Sequence, residues 1–365
     1  MIAAGGTGGH VFPALALADT LARDHGADVR FIGSPNGQEA TRVPSAGYHF
    51  DAVNAAPLYR EVSIRAAKAP MIALRSVFAC APLVRGADVA VGMGGYVSVS
   101  PMLAARRAHI PIVLHEPNAV PGLANRLLAR SAKAIAIAFE DARGRLAGDA
   151  RVEMVGYPVR QAILDVPADR ATLAEEARTL WDLDASRRTV LVTGGSQGAL
   201  HVDQVVADAL PSLTGRQDLQ LLIVSGPAHE AAVSGAVGRA SGVRARVVPF
   251  LDRMELGYAV ADLVVARAGA TTLAELAVCG LPALLIPYPH ATEKHQDANA
   301  REWERIGAAE VVSDADLTPA VFAEHVCRLL DDPARLATMG ARAHDRAKPD
   351  AAERFARLVA EVATG

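Results

Sequence analysis

Five groups of residues in this 365-residue chain have the types and spacing to do chemistry. Gly5-Gly6-Thr7-Gly8-Gly9-His10 reads as a glycine turn running into a helix, so backbone N–H groups and a helix dipole would face an anion there. His10 would stand at that helix N-terminus, where the dipole disfavours the imidazolium and leaves a neutral ring able to act as a base; a structural capping histidine is the alternative. Gly92-Met93-Gly94-Gly95-Tyr96 and His115-Glu116-Pro117-Asn118 each follow a short apolar run, at the strand ends where open α/β sheets place ligands. Gly194-Gly195-Ser196-Gln197-Gly198-Ala199 is a second glycine turn able to hold a phosphate. Finally, Arg267-Ala268-Gly269-Ala270-Thr271-Thr272 opens a helix on which Glu275 falls one turn after Thr271. A carboxylate beside an anion-binding turn suits the hydroxyls of a ribose, although an ordinary capped helix with a solvated acid has the same pattern.

These groups need elements to hold them. Apolar runs at 29–32, 50–53, 89–91, 112–114 and 134–137 alternate with helical stretches, which predicts a doubly wound parallel sheet. The turn residues Val155-Gly156-Tyr157-Pro158 mark a domain junction. Runs at 189–193, 221–224, 247–249, 263–265 and 283–286 then predict a second such sheet. A final helix over 350–362 is long enough to return to the first domain. The expected fold class is α/β of GT-B architecture: two Rossmann-like doubly wound parallel-sheet domains facing across a cleft. The expected boundaries are 1–157 plus a C-terminal helix at about 348–365 for the first domain, and 158–347 for the second. On that plan Thr7, His10, Tyr96, His115, Glu116 and Asn118 converge on one edge of the first sheet.

Composition narrows the function further. The hydrophobic fraction is 51%, the charged fraction 21% and the mean hydropathy +0.19, as expected of a globular chain with ample core. Aromatic residues are only 4% and the net charge is −3, which argues against a base-stacking or electrostatically driven nucleic-acid partner. Cys80, Cys279 and Cys327 are scattered without metal spacing and read as buried thiols in a reducing compartment. No apolar run approaches the ~18 residues of a spanning helix, and the glycines after Ala4 interrupt any signal-peptide pattern. A cytosolic location is expected. Between two strands, however, the stretch Ile64–Val84 sets Met71, Ile72, Leu74, Val77 and Phe78 beside Arg65, Lys68, Arg75 and Arg85. That mixture suits an interfacial membrane contact, or equally a crossover helix with its apolar face in the core.

GGTGGHVFPALALA, GMGGYVS, HEPNAVPGLANR, VGYPVR, GGSQGA and RAGATTLAELAVCGLPALLIPYPHATEKHQDANA occur here in the order and approximate spacing of the MurG family. The chain resembles that family over nearly its whole length. The resemblance implies an inverting transfer of N-acetylglucosamine from UDP-N-acetylglucosamine to the muramoyl 4-hydroxyl of undecaprenyl-pyrophosphoryl-N-acetylmuramoyl-pentapeptide, at the inner leaflet of the plasma membrane. It also implies that Thr7, Gly8, Gly9 and Asn118 line the substrate site, that Arg160 and Ser196 meet the donor, and that the Leu251 backbone reads the uracil edge. By the same resemblance Ala270, Thr271, Thr272, Leu273, Ala274 and Glu275 form the donor turn and helix, and Gln296 contacts the sugar. Inversion requires one base, for which His10 is the first choice and Glu116 the second; Tyr96 and His115 belong to the acceptor side. With UDP leaving onto backbone N–H groups and a helix dipole, no metal or cofactor is expected. The chain departs from the family in carrying Pro117, Tyr157 and Ala268 where Gln, Asn and Ser are frequent, and AAPLYREV at 55–62 in place of a Gly-Leu-Arg-rich loop. A related transferase acting on diacylglycerol and a non-catalytic nucleotide-sugar-binding protein are the competing readings.

Overall fold

The computed structural model describes all residues except Thr7, 55–63, 196–197 and 241–242, together with the backbone but not the side chains of 64–73. The chain divides into two compact units, Met1–Arg160 with Lys348–Gly365, and Gln161–Ala347.

In the first unit, seven strands form one sheet: β1 (Ile2–Ala3), β2 (Arg30–Gly33), β3 (His49–Ala52), β4 (Ala90–Gly92), β5 (Ile112–Glu116), β6 (Ala134–Ile137) and β7 (Arg151–Met154). All pairs are parallel, in the order β3-β2-β1-β4-β5-β6-β7. Because side chains alternate along a strand, each strand feeds two layers. Ile2, Val91 and Val113 enter the layer holding Leu17, Phe355, Leu358 and Val359, whereas Ala3, Ala90, Ile112 and Leu114 enter the one holding Met102 and Leu128. The helix Ala351–Thr364 supplies Phe355, Leu358 and Val359, so the last stretch of the sequence completes the first unit's core. Gly156 makes its return possible: a Cβ there would lie 2.7 Å from the Lys348 Cβ, and its φ of +92° suits glycine alone.

The second unit repeats the winding. Among the described residues its strands are β8 (Arg188–Thr193), β9 (Leu219–Val224), β10 (Arg244–Val248), β11 (Leu263–Ala266), β12 (Ala283–Leu285) and β13 (Ala309–Val311). They too are parallel, in the order β10-β9-β8-β11-β12-β13. β13 was not expected, and the sheet therefore extends one strand beyond Ala283–Ile286. It is only three residues long with an acid at its centre, and that acid is satisfied from outside the strand: the Glu310 carboxylate pairs with His325 at 2.6 Å, Arg328 at 2.8 Å and Arg335 at 2.5 Å.

In both sheets the winding reverses beside the first strand, between β1 and β4 and between β8 and β11. Outside the carboxyl ends of those strands is where this topology leaves room for a ligand. Both glycine turns of the sequence occupy such positions.

Candidate functional site

In the first unit the turn after β1 is built on a buried acid that sequence reasoning did not single out. Glu39 is 0% exposed, and its carboxylate accepts from the Gly6 N–H at 3.1 Å and the Ser34 N–H at 2.9 Å. Three glycines make room for it, since a Cβ on Gly5, Gly33 or Gly37 would lie 2.2, 2.6 or 2.1 Å from a Glu39 atom. One N–H of the expected anion-binding turn is therefore already occupied. The helix Gly8–His25 follows, with His10 in its first turn. The His10 ring lies against the turn after β4: a Cβ on Gly94 would be 3.4 Å from its Cδ2 and Nε2, and one on Gly95 3.4 Å from its Cε1. Both glycines have positive φ, +92° and +71°, so a side chain there would be strained, although its Cβ would meet the imidazole only in van der Waals contact. The structure thus brings His10 to the Gly94-Gly95-Tyr96 turn. Tyr96 itself is 36% exposed.

The turn after β5 requires two corrections. Strand β5 runs on through Glu116, so His115 falls in phase with Val113, inside the core. Its ring is 0% exposed, stacked on Phe355 at 5.2 Å, tilted against Tyr157 at 5.8 Å, with Nε2 3.3 Å from the Gly156 carbonyl. Burial holds its pKa down at about 4 and the ring neutral. His115 is a packing residue and does not face an acceptor. Glu116, the second candidate base, is 1% exposed and saturated. One oxygen accepts from Asn118 N at 3.0 Å and Nδ2 at 3.3 Å; the other accepts from Gly122 N at 3.0 Å and Asn125 Nδ2 at 2.9 Å. A carboxylate has about four such acceptor positions, so none is left for a substrate proton. Burial raises its pKa while those bonds pull it down. Glu116 shapes the loop that presents Asn118.

Gly9 accepts a hydrogen bond from Tyr157 Oη at 2.8 Å. The Arg160 guanidinium lies over the Phe12 ring at 4.6 Å and belongs to the first unit, not the second. The Ile64–Val84 helix buries Val77, Cys80 and Val84 but exposes Leu74 by 57% and Phe78 by 58%. Arg75, Arg85, Arg106 and Arg107 are exposed nearby in sequence or space, and the Arg107 guanidinium sits 5.7 Å from the Phe78 ring. The side chains of Arg65, Lys68, Met71 and Ile72, the loop 55–62 and Thr7 lie outside the described residues.

In the second unit, β8 ends at two glycines that leave no room for a side chain. A Cβ on Gly194 would be 2.3 Å from the Ala199 N and one on Gly198 2.1 Å from the Ser225 carbonyl oxygen. Ser196, the expected phosphate ligand, lies outside the described residues. After β11, Gly269 occupies the cap position of the helix Ala270–Cys279 and brings no side-chain acceptor to its first-turn N–H groups. Ala270, Thr271, Thr272 and Ala274 are partly exposed, whereas Leu273 is buried and offers only its backbone. Asn299, 0% exposed, fixes the turn from beneath by donating to the Ala268 carbonyl at 3.2 Å. Arg267 is a strut: its Nη1 donates to the Ile286 and Pro287 carbonyls and pairs with Asp314. Glu275 is 6% exposed and accepts from Tyr258 Oη at 2.8 Å, which orients its carboxylate. Gln296 accepts from the Tyr288 N–H at 2.9 Å through Oε1, so its amide NH₂ is oriented as the donor. The Leu251 side chain is buried, against the helix Met254–Val260.

Comparison with known proteins agrees with this plan. Residues 1–137 match the glycosyltransferase family 28 N-terminal domain and residues 189–355 the glycosyltransferase family 28 C-terminal domain. A UDP-N-acetylglucosamine–N-acetylmuramyl-(pentapeptide) pyrophosphoryl-undecaprenol N-acetylglucosamine transferase from a Nocardioides species is 42% identical, covering 100% of this chain and 98% of its own. Its counterpart from Halothermothrix orenii is 37% identical over 99% and 98%. The crystal structure of Acinetobacter baumannii MurG superposes with a TM-score of 0.78 at 29% identity, covering 99% and 98%.

Proposed function

Since the chain belongs to the MurG family within glycosyltransferase family 28, we propose the following division of labour for its transfer reaction. The protein is a hexosyltransferase that moves N-acetylglucosamine from UDP-N-acetylglucosamine to undecaprenyl-pyrophosphoryl-N-acetylmuramoyl-pentapeptide, in peptidoglycan synthesis. His10 is the general base that takes the proton of the muramoyl 4-hydroxyl as the sugar is transferred with inversion. Its placement against Gly94 and Gly95 is the observation that carries this assignment: the ring lies beside the turn after β4, near the carboxyl ends of β1 and β4. The acceptor pyrophosphate belongs to the helix N-terminus at Gly8–His10, and Asn118 and Tyr96 to the acceptor.

The second unit takes the donor. The helix N-termini at 199–200 and 269–270 receive the diphosphate and stabilise the departing UDP. Glu275, held by Tyr258, accepts from the ribose hydroxyls, and Gln296 donates to the sugar. Leu251 contributes its backbone to the uracil. Ser196, Thr7 and Arg160 complete the proposed substrate contacts.

The protein works on the cytoplasmic face of the membrane. Among the described residues no helix is long and apolar enough to cross one. Leu74 and Phe78, bordered by arginines, suit instead a shallow insertion among anionic headgroups.

The test is transfer of labelled N-acetylglucosamine to a short-chain lipid-linked muramoyl-pentapeptide. Label should appear in that product at a rate that rises with both substrates. Transfer to diacylglycerol and none to the muramoyl acceptor would overturn the proposal.

A further inference from the structure

Between two helices of the first unit lies a groove that the transfer chemistry does not use. It separates the helices Gly8–His25 and Glu39–Ser45 and has a volume of about 550 Å³. Phe12 and Leu15 line it from the first helix, and Gln38, Thr41, Arg42 and Ser45 from the second and its cap. Both sets are spaced three or four residues apart, so each helix presents one face to the groove. Phe12 and Leu15 make an apolar wall. The Arg42 guanidinium lies 5.0 Å from the Phe12 ring centroid, and that of Arg160 lies 4.6 Å from it, which gathers positive charge at this ring. The Thr41 and Ser45 hydroxyls donate back to the Gln38 and Thr41 carbonyls, so what they offer a visitor is oxygen lone pairs. Gln38 Oε1 is buried with no hydrogen-bond partner. The one acid of the second helix, Glu39, is turned away toward the Gly6 and Ser34 N–H groups.

We propose that this groove holds the peptide of the acceptor, with a carboxylate of that peptide on Arg42. Hydrogen-bond acceptors, an apolar wall and a cation are the complement of a peptide's amide N–H groups, small side chains and carboxylate. A bare phosphate would have no use for the acceptors or the wall. The inference rests on the reading of the first unit as acceptor-binding, with the pyrophosphate at Gly8–His10. The groove begins at that turn: a Cβ on Gly8 would lie 3.0 Å from the Phe12 ring and 3.2 Å from Gln38 Oε1. From Gly8 to Leu15 the helix rises about 10 Å, and five extended residues reach about 17 Å. A pentapeptide on a muramoyl group anchored at Gly8 is therefore long enough to run the length of the groove.

Two short-chain lipid-linked acceptors separate the peptide from the rest of the substrate: the muramoyl-pentapeptide, and the same muramoyl group carrying a single alaninamide. Both keep the pyrophosphate and the 4-hydroxyl, but the second has neither the length nor the carboxylate. The wild type should favour the pentapeptide in kcat/KM by roughly tenfold, the size of one charge-assisted hydrogen bond, and mostly through KM. In R42Q that preference should fall to about twofold or less, while R42K, which keeps the charge, should retain part of it. S45E puts a negative charge at an exposed position beside the carboxylate without touching the Arg42–Phe12 contact, and should abolish or reverse the preference. Equal kcat/KM for the two acceptors in the wild type overturns the inference. So does a preference that survives in R42Q and S45E, or an equal fall for both acceptors in R42Q, which would put Arg42 on the pyrophosphate or in the fold. Transfer to neither acceptor overturns instead the reading of the first unit on which the inference rests.

Discussion

The two units share a winding order and a glycine turn after the first strand, yet they treat the acid beneath that turn in opposite ways. In the first unit Glu39 is ringed by glycines and receives backbone N–H groups from Gly6 and Ser34; its charge is absorbed by the fold. In the second, Asp203 is equally buried, and neither carboxyl oxygen makes a hydrogen bond of normal geometry. A satisfied buried carboxylate is stable as the anion, whereas one without good partners is costly to ionise.

The strongest test of this contrast is catalytic. H10A should lower turnover by roughly 10²–10⁴-fold while sparing donor affinity, and E116Q should lower it far less, because an amide oxygen still accepts part of what the loop donates. Comparable losses in the two variants, measured in the same transfer assay, would return Glu116 to the chemistry. Next in size is the scaffold itself. E39A leaves two part-buried N–H donors without their acceptor and a cavity ringed by glycines, and should destabilise the first unit by about 1–3 kcal/mol, read as faster amide exchange in β1 and β2 with β8 unaffected. Equal exchange in both units would dissolve the comparison.

The pH responses should differ in sign. His115 has a folded pKa of about 4 against an ordinary 6.5, so the unfolded chain binds the extra proton and stability is lost as pH falls through that interval. H115F should therefore gain on the wild type below pH 6.5. Asp203 is raised from 3.8 to about 7, so the folded state holds the proton more tightly and stability is lost as pH rises across that range. D203N should gain on the wild type from pH 4 upward and level off above 7. Each effect is on the order of a few kcal/mol at most, and local amide exchange in each unit separates them. The smallest effect expected is at the membrane. F78S should reduce binding to anionic vesicles severalfold with little change in turnover on a short-chain acceptor, and unchanged vesicle binding would remove Phe78 from that role.

Much of the fold was legible because a parallel strand buried on both faces leaves a short continuous apolar run. Ala134–Ile137 shows this most clearly, since its expected and observed bounds coincide. Glycine turns at strand ends likewise pointed to the switch points. What failed was phase and partnership. Ending β5 at Leu114 put His115 in a loop; carrying the alternation of Val113 one step further would have placed it in the core. Asp203 had a similar signal, since it lies on the same helical face as Val206 and Ala207, both buried. Glu39 had none. Its role depends on Gly5, Gly33 and Gly37 meeting in space, and nothing in the local pattern around Gln38 and Ala40 announces it. The same is true of the fit between His10 and Gly94-Gly95.

The helix Ala351–Thr364 has a consequence for how the protein is made. Phe355, Leu358 and Val359 are needed to close the first unit's core, but they leave the ribosome only after every residue of Gln161–Ala347 has been synthesised. Domains usually fold in the order of synthesis. Here the inserted unit can finish first, while Met1–Arg160 waits with one sheet face uncovered until the helix Ala351–Thr364 has been made. A ribosome stalled so that residue 347 has just cleared its exit tunnel, on a chain with a linker in place of the residues after 347, should therefore carry a protease-resistant second unit behind a cleavable first one.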